Sequence, residues 1–185
     1  MCKTSKLRWY LLEEYITLYE QSGYPQVRHT ITNRLDHFKT LYRKLKLMDK
    51  FFWVFARFKQ KIILKEEASA VILHLPLVRY SSIYFGLSEV ANIYSTSPYT
   101  VFSTQKNVFY MPIFDVLENL YSGILDKNDE KIHQSIDTLH RVFQEVNPTI
   151  IVLNNDALPD TRAIVLVAKE LGIPTVEIQH GIYQS

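Results

Sequence analysis

Residues 149–178 constrain the fold more than any other part of this chain. An uninterrupted apolar run, Thr149-Ile150-Ile151-Val152-Leu153, is followed by a helical stretch from Pro159 to Leu171 and then by a second short run from Thr175 to Ile178. The first run, short and without polar alternation, has the pattern of a strand covered on both faces in a parallel sheet, and the second reads as another such strand. Pro159 suits the first turn of the intervening helix and Gly172 its C-terminal stop. A right-handed crossover through that helix makes the two strands parallel, so both C-terminal ends emerge on one edge of the sheet. The expected class is α/β, a parallel sheet with flanking helices.

Other segments extend this series. Residues 129–146 carry Ile132, Ile136, Leu139 and Phe143 at helical spacing, with Asp129 and Glu130 early and Arg141 late, as the helix dipole favours. Residues 70–76 and 107–111 read as further strands, the latter closed by Pro112. The Ser/Tyr-rich stretch between them fits either a helix–strand pair or a long loop beside a cleft.

The N-terminal third differs in charge. Residues 1–68 hold 14 Lys/Arg against 7 Asp/Glu, whereas residues 69–185 hold 7 against 12, which suggests a basic helical extension (1–68) before a sheet domain (69–185). Residues 7–21 have helical apolar spacing and stop at Ser22-Gly23-Tyr24-Pro25. Across residues 33–58, Phe38, Leu41, Leu45, Met48, Phe52 and Phe55 share an arc of about 100°. Lys39, Arg43, Lys46, Lys50, Arg57 and Lys61 take the opposite arc. Two readings fit: a core-packed helix with a solvated basic face, or a helix lying through residues 33–61 on an anionic membrane surface. Nucleic-acid binding is not expected, because the remaining chain is acidic and carries no recognised binding module.

Several chemistries find no support. The five glycines form neither GxGxxG nor GxxxxGK[ST], and GxSxG is absent. The single cysteine, Cys2, forms no internal disulfide, and the six histidines lack zinc-ligand spacing, so no metal site is predicted. His133 and His140, seven apart on one helix, read as surface residues. No apolar run has the length of a membrane span and the N-terminus lacks the apolar core of a signal peptide, so the expected location is cytoplasmic.

The common edge of the two C-terminal strands is the candidate site. Asn154-Asn155-Asp156 follows the first strand and Gln179-His180-Gly181 the second, and ligands of open α/β sheets bind outside such ends. The three residues after Leu153 serve equally as a turn and helix cap. His180 has the side chain best suited to accept a proton near neutral pH, and Gly181 lets a ligand approach the backbone. Gln179 can donate to a hydroxyl or phosphate oxygen, and Arg162 can reach an anion or form an ion pair.

Residues 147–156, Arg162 and the stretch Ala168-Lys-Glu-Leu-Gly-Ile-Pro-Thr-Val-Glu-Ile-Gln-His-Gly181 resemble the end of the N-terminal domain of GT-B glycosyltransferases of bacterial surface polysaccharide synthesis. They resemble CDP-glycerol glycerophosphotransferases more distantly. The resemblance implies two Rossmann-like domains facing a cleft, the first presenting a glycan or lipid-linked acceptor and the second gripping a nucleotide-activated sugar. It makes His180 the candidate base on the acceptor hydroxyl or a ligand of donor phosphate, with Gln179 and Gly181 shaping its loop. Asp156 becomes a weaker acceptor-side candidate. The first domain itself is expected to bind no cofactor, and donor chemistry to lie beyond Ser185 in a missing C-terminal domain, leaving this domain with little activity alone. A basic helix would suit work at the inner membrane face. A UDP-N-acetylglucosamine 2-epimerase-like enzyme and a non-enzymatic docking module remain as alternatives.

Overall fold

The computed structural model describes residues 3–63, 69–75, 77–105, 107–154 and 157–178, with side chains described except at 3–5, 52–63, 77, 78 and 102. Five strands form one all-parallel sheet: β1 (Ala70–His74), β2 (Asn92–Ser95), β3 (Val108–Tyr110), β4 (Ile150–Leu153) and β5 (Thr175–Glu177), in the order β3-β2-β1-β4-β5. Six helices accompany them: α1 (Lys3–Gln21), α2 (Val27–Ile63), α3 (Leu77–Ser88), α4 (Phe114–Leu125), α5 (Asp129–Val146) and α6 (Pro159–Glu170). The order reverses between β1 and β4, because the chain winds outward from β1 through β2 to β3 and then returns to lay β4 on the other side.

Alternation along the strands feeds two cores. Val71, Leu73, Ile93 and Val152 face one side, where Tyr80 and Tyr84 of α3 cover them. Ile72, Ile151 and Leu153 face the other, against α4, α5 and α6 and against Leu11 and Tyr15 of α1 and Ile31, Leu35 and Tyr42 of α2. That second core therefore draws on residues from both sides of position 68.

The helix ends follow local chemistry. Asn128 caps α5 by accepting from the Lys131 backbone N–H at 3.1 Å, and Asn147 closes it in the left-handed conformation at φ 47°. Gly172 takes φ 70° after α6, where a side chain would be strained. The ambiguous stretch between β1 and β3 contains the helix–strand pair α3–β2 and a 3-10 turn at Pro98–Phe102. Helix α4, not anticipated above, packs closely on α5. A Cβ added at Gly123 would lie 2.8 Å from Ile132 Cγ1 and 3.0 Å from the Asn128 carbonyl oxygen. Gly123→Ala should therefore cost about 1–2 kcal/mol despite alanine's better helix propensity, as measured by urea unfolding.

Two expectations need correction. The packed face of α2 is formed by Ile31, Leu35, Phe38, Tyr42, Leu45 and Asp49, and is rotated by about 70° from the predicted arc. Leu41 and Met48 of that arc are 39% and 42% exposed, because Tyr42 and Asp49 take the inward positions against α4 and α6. Strand β5, expected to be buried, exposes all three of its residues, since the described helices do not cover its faces as they cover those of β3 at the opposite edge. Among the described residues no helix is long and apolar enough to cross a membrane.

Candidate functional site

The reversal between β1 and β4 opens a crevice at the carboxyl ends of the strands, the place where open α/β sheets bind ligands. A cavity of about 270 Å³ occupies it. His74, the last residue of β1, pairs in register with Leu153 at the end of β4, while Leu73 pairs with Ser95 of β2. The same register sets His74 beside Thr96. Both side chains face the α6 side of the sheet, as the two-residue period from Ile72 and Tyr94 requires.

Beneath them lies Asp160, the second residue of α6 and 2% exposed. An acid in the first turn of a helix is favoured by the dipole, but one buried this deeply needs further partners. Asp160 has three. Tyr42 of α2 donates its phenol hydrogen to Oδ2, and Tyr121 of α4 donates to Oδ1 at 3.1 Å. His74 Nε2 approaches Oδ2 at 3.6 Å. Burial pushes the carboxyl upward, but hydrogen bonding and charge from His74, with the two phenols, outweigh it and hold Asp160 below the usual carboxylate range. Burial, reinforced by the adjacent carboxylate, raises both phenols well above theirs, so they remain donors.

This arrangement fixes the imidazole. An ionised carboxylate accepts only, so in the neutral ring Nε2 carries the hydrogen and Nδ1 is the acceptor. Nδ1 lies 2.9 Å from Thr96 Oγ1, so the threonine hydroxyl donates to it. The series carboxylate, imidazole, hydroxyl therefore ends at the cavity wall in Thr96 Oγ1, with the imidazole nitrogen behind it. A ligand hydroxyl that displaced Thr96 would meet the same acceptor.

The rest of the wall limits the ligand. Tyr99, 57% exposed, and Phe114 offer aromatic faces, and Asn154 adds an amide at the end of β4. Among the described lining residues there is no lysine or arginine, and Asp160 already occupies the N-terminus of α6. Among these described residues a phosphate would find no fixed cation and a nearby carboxylate. A neutral hydroxylated ring fits better, in a volume near the lower limit of about 300 Å³ for small-molecule pockets.

Of the residues singled out in sequence, Asn154 lines this cavity. Asn155, Asp156, Gln179, His180 and Gly181 lie outside the described residues. Arg162 is buried and turned towards α1, pairing with Glu14 at 2.8 Å and stacking over Tyr10 at 4.2 Å from the ring centroid. His140 pairs with Glu170 at 2.6 Å and is a partly exposed surface residue. His74, Thr96, Asp160 and Tyr42 were not anticipated. His74 and Asp160 had a usable signal, a polar residue closing an apolar run and an acid beside a helix-starting proline, but the strand order is needed to join them.

Comparison of the chain with protein-family models, with curated proteins and with solved structures yields no match.

Proposed function

We propose that this chain is the acceptor-side, N-terminal domain of a nucleotide-sugar-dependent glycosyltransferase of surface polysaccharide synthesis, with the acceptor ring in the His74 cavity. The observation that carries the reading is the fixed imidazole at the switch point, held by Asp160 and presenting Nδ1 to a hydroxyl. The absence of lysine and arginine among the described lining residues favours a neutral acceptor over a donor phosphate. Activation of a hydroxyl is the proton transfer that glycosyl transfer to an acceptor needs. The wording of residues 147–181 supplies the family, in which the donor nucleotide is held by a second Rossmann-like domain. His180, with Gln179 and Gly181, keeps the role implied there, just beyond β5. His74, at the end of β1, orients the acceptor.

Ligand-observed NMR on the 185-residue chain tests this reading. Neutral methyl glycosides should give saturation transfer from the protein, and His74→Asn should weaken their binding about tenfold, the loss of one buried hydrogen bond. Uridine and cytidine diphosphates should give no signal at the same concentrations. Nucleotide binding that is sensitive to His74→Asn, with the glycosides silent, would overturn the assignment.

A further inference from the structure

The outward side of α2 belongs to neither core. Leu47 is 69% exposed and Phe51 67%, with Met48 and Leu41 at 42% and 39%. At 100° per residue these four occupy an arc of about 120°, whose centre lies about 140° from that of the packed face. This face shares Leu41 and Met48 with the arc predicted from sequence, whose Phe38 and Leu45 are turned inward. Four large apolar side chains exposed along nearly three turns are more than scattered surface residues.

Charge identifies what covers them. From Phe38 to Phe51 the helix carries five basic residues and one acid, Asp49, which is buried. Lys39 pairs with Asp126, and Arg43 and Lys46 share Glu118, so these three serve the packing of α2 on α4. Lys44 and Lys50 are exposed and make no ion pair among the described residues. Lys44 stands within the apolar arc. A second copy of the helix laid on this face would bring Lys44 against Lys44, a like-charge contact that disfavours self-association. An anionic lipid surface accepts both components, the apolar side chains below the headgroups and the lysines extended to the phosphates. With no helix able to cross a membrane among the described residues, the helix would lie in the interface plane.

We infer that the face of α2 bearing Leu41, Leu47, Met48 and Phe51 docks the protein on an anionic bilayer. This rests on exposure and charge, not on the glycosyltransferase reading, and would hold for a membrane-bound protein of any activity.

Sedimentation of the 185-residue chain with lipid vesicles tests it. Vesicles of phosphatidylcholine and phosphatidylglycerol in equal parts should retain the protein, and phosphatidylcholine alone should not. Leu47→Ser with Phe51→Ser should reduce retention about tenfold, and Lys44→Gln with Lys50→Gln should reduce it by a similar factor at low salt, with far less difference at high salt. All four positions are exposed, so circular dichroism should show unchanged folding. No retention on anionic vesicles overturns the inference. So does retention indifferent to both variants, or a dimer in sedimentation equilibrium that the serine variant dissociates.

Discussion

Asp160→Ala should destabilise the protein by about 3–5 kcal/mol, the cost of removing the acceptor from a buried charged cluster. The hydroxyls of Tyr42 and Tyr121 would lose their partner inside the fold, and no water-filled space is needed to explain the penalty. Asp160→Asn keeps the shape and one acceptor oxygen, so its cost should be smaller, about 1–3 kcal/mol, and Tyr42→Phe should cost about 1–2 kcal/mol. Guanidinium unfolding at pH 7 measures all three. Because whole domains are stable by only about 5–15 kcal/mol, the alanine variant should show a plainly lower midpoint. A loss under about 1 kcal/mol would mean that the cluster does not fasten α2 and α4 to α6. A double-mutant cycle between Tyr42→Phe and Asp160→Asn should show coupling, since the two groups touch. The loss falls where the fold is also functional: α2 reaches over the carboxyl ends of the strands and is held there by Tyr42, which also lines the cavity.

How much of this was legible in sequence follows from the range of the interactions. The β4–α6–β5 unit and α5 could be read because their determinants are local: a continuous apolar run, Pro159 inside the helix start, and left-handed stops at Asn147 and Gly172. The inward face of α2 could not be fixed that way. Its period was visible, but its phase depends on Tyr42 and Asp49, residues whose burial is decided by partners 118 and 65 positions away, Asp160 and Phe114. The exposure of β5 likewise depends on which helices pack over its faces, since β3, also at an edge, is covered. The site shows the same division. Asn154 was found by the rule that ligands gather at strand ends. His74, Thr96 and Asp160 come together only because β1 lies between β2 and β4, a topology that no single segment encodes.

Asp49→Asn should raise stability at pH 8 by about 2 kcal/mol and change it little at pH 5, a difference worth several degrees in Tm. Asp49 is 5% exposed, and its Oδ1 has no hydrogen-bond partner among the described residues. Burial is the main cause that pushes its carboxyl up to about 7; the Phe114 backbone N–H at the start of α4 opposes the shift and Asp115 adds to it. Lys46 and Lys50 border the same groove, but Lys46 is engaged with Glu118 at 3.5 Å. The sign follows from the direction of the shift. A carboxyl raised in the folded state favours folding fully below its unfolded value near 3.8, and that advantage is lost as pH rises through about 7. Asparagine keeps an acceptor for the Phe114 N–H and carries no charge to desolvate, so the loss should vanish from a thermal unfolding series between pH 4 and 8. An equal gain at pH 5 and pH 8 would show that Asp49 does not titrate in this interval. Asp160 works in the opposite direction: its depressed carboxyl stabilises the fold above the unfolded value and ceases to do so as pH falls through its folded one. Between them the two buried aspartates favour greatest stability at mildly acidic pH, and Asp49→Asn should move that maximum towards neutrality while leaving the acid limb, which Asp160 sets, where it was.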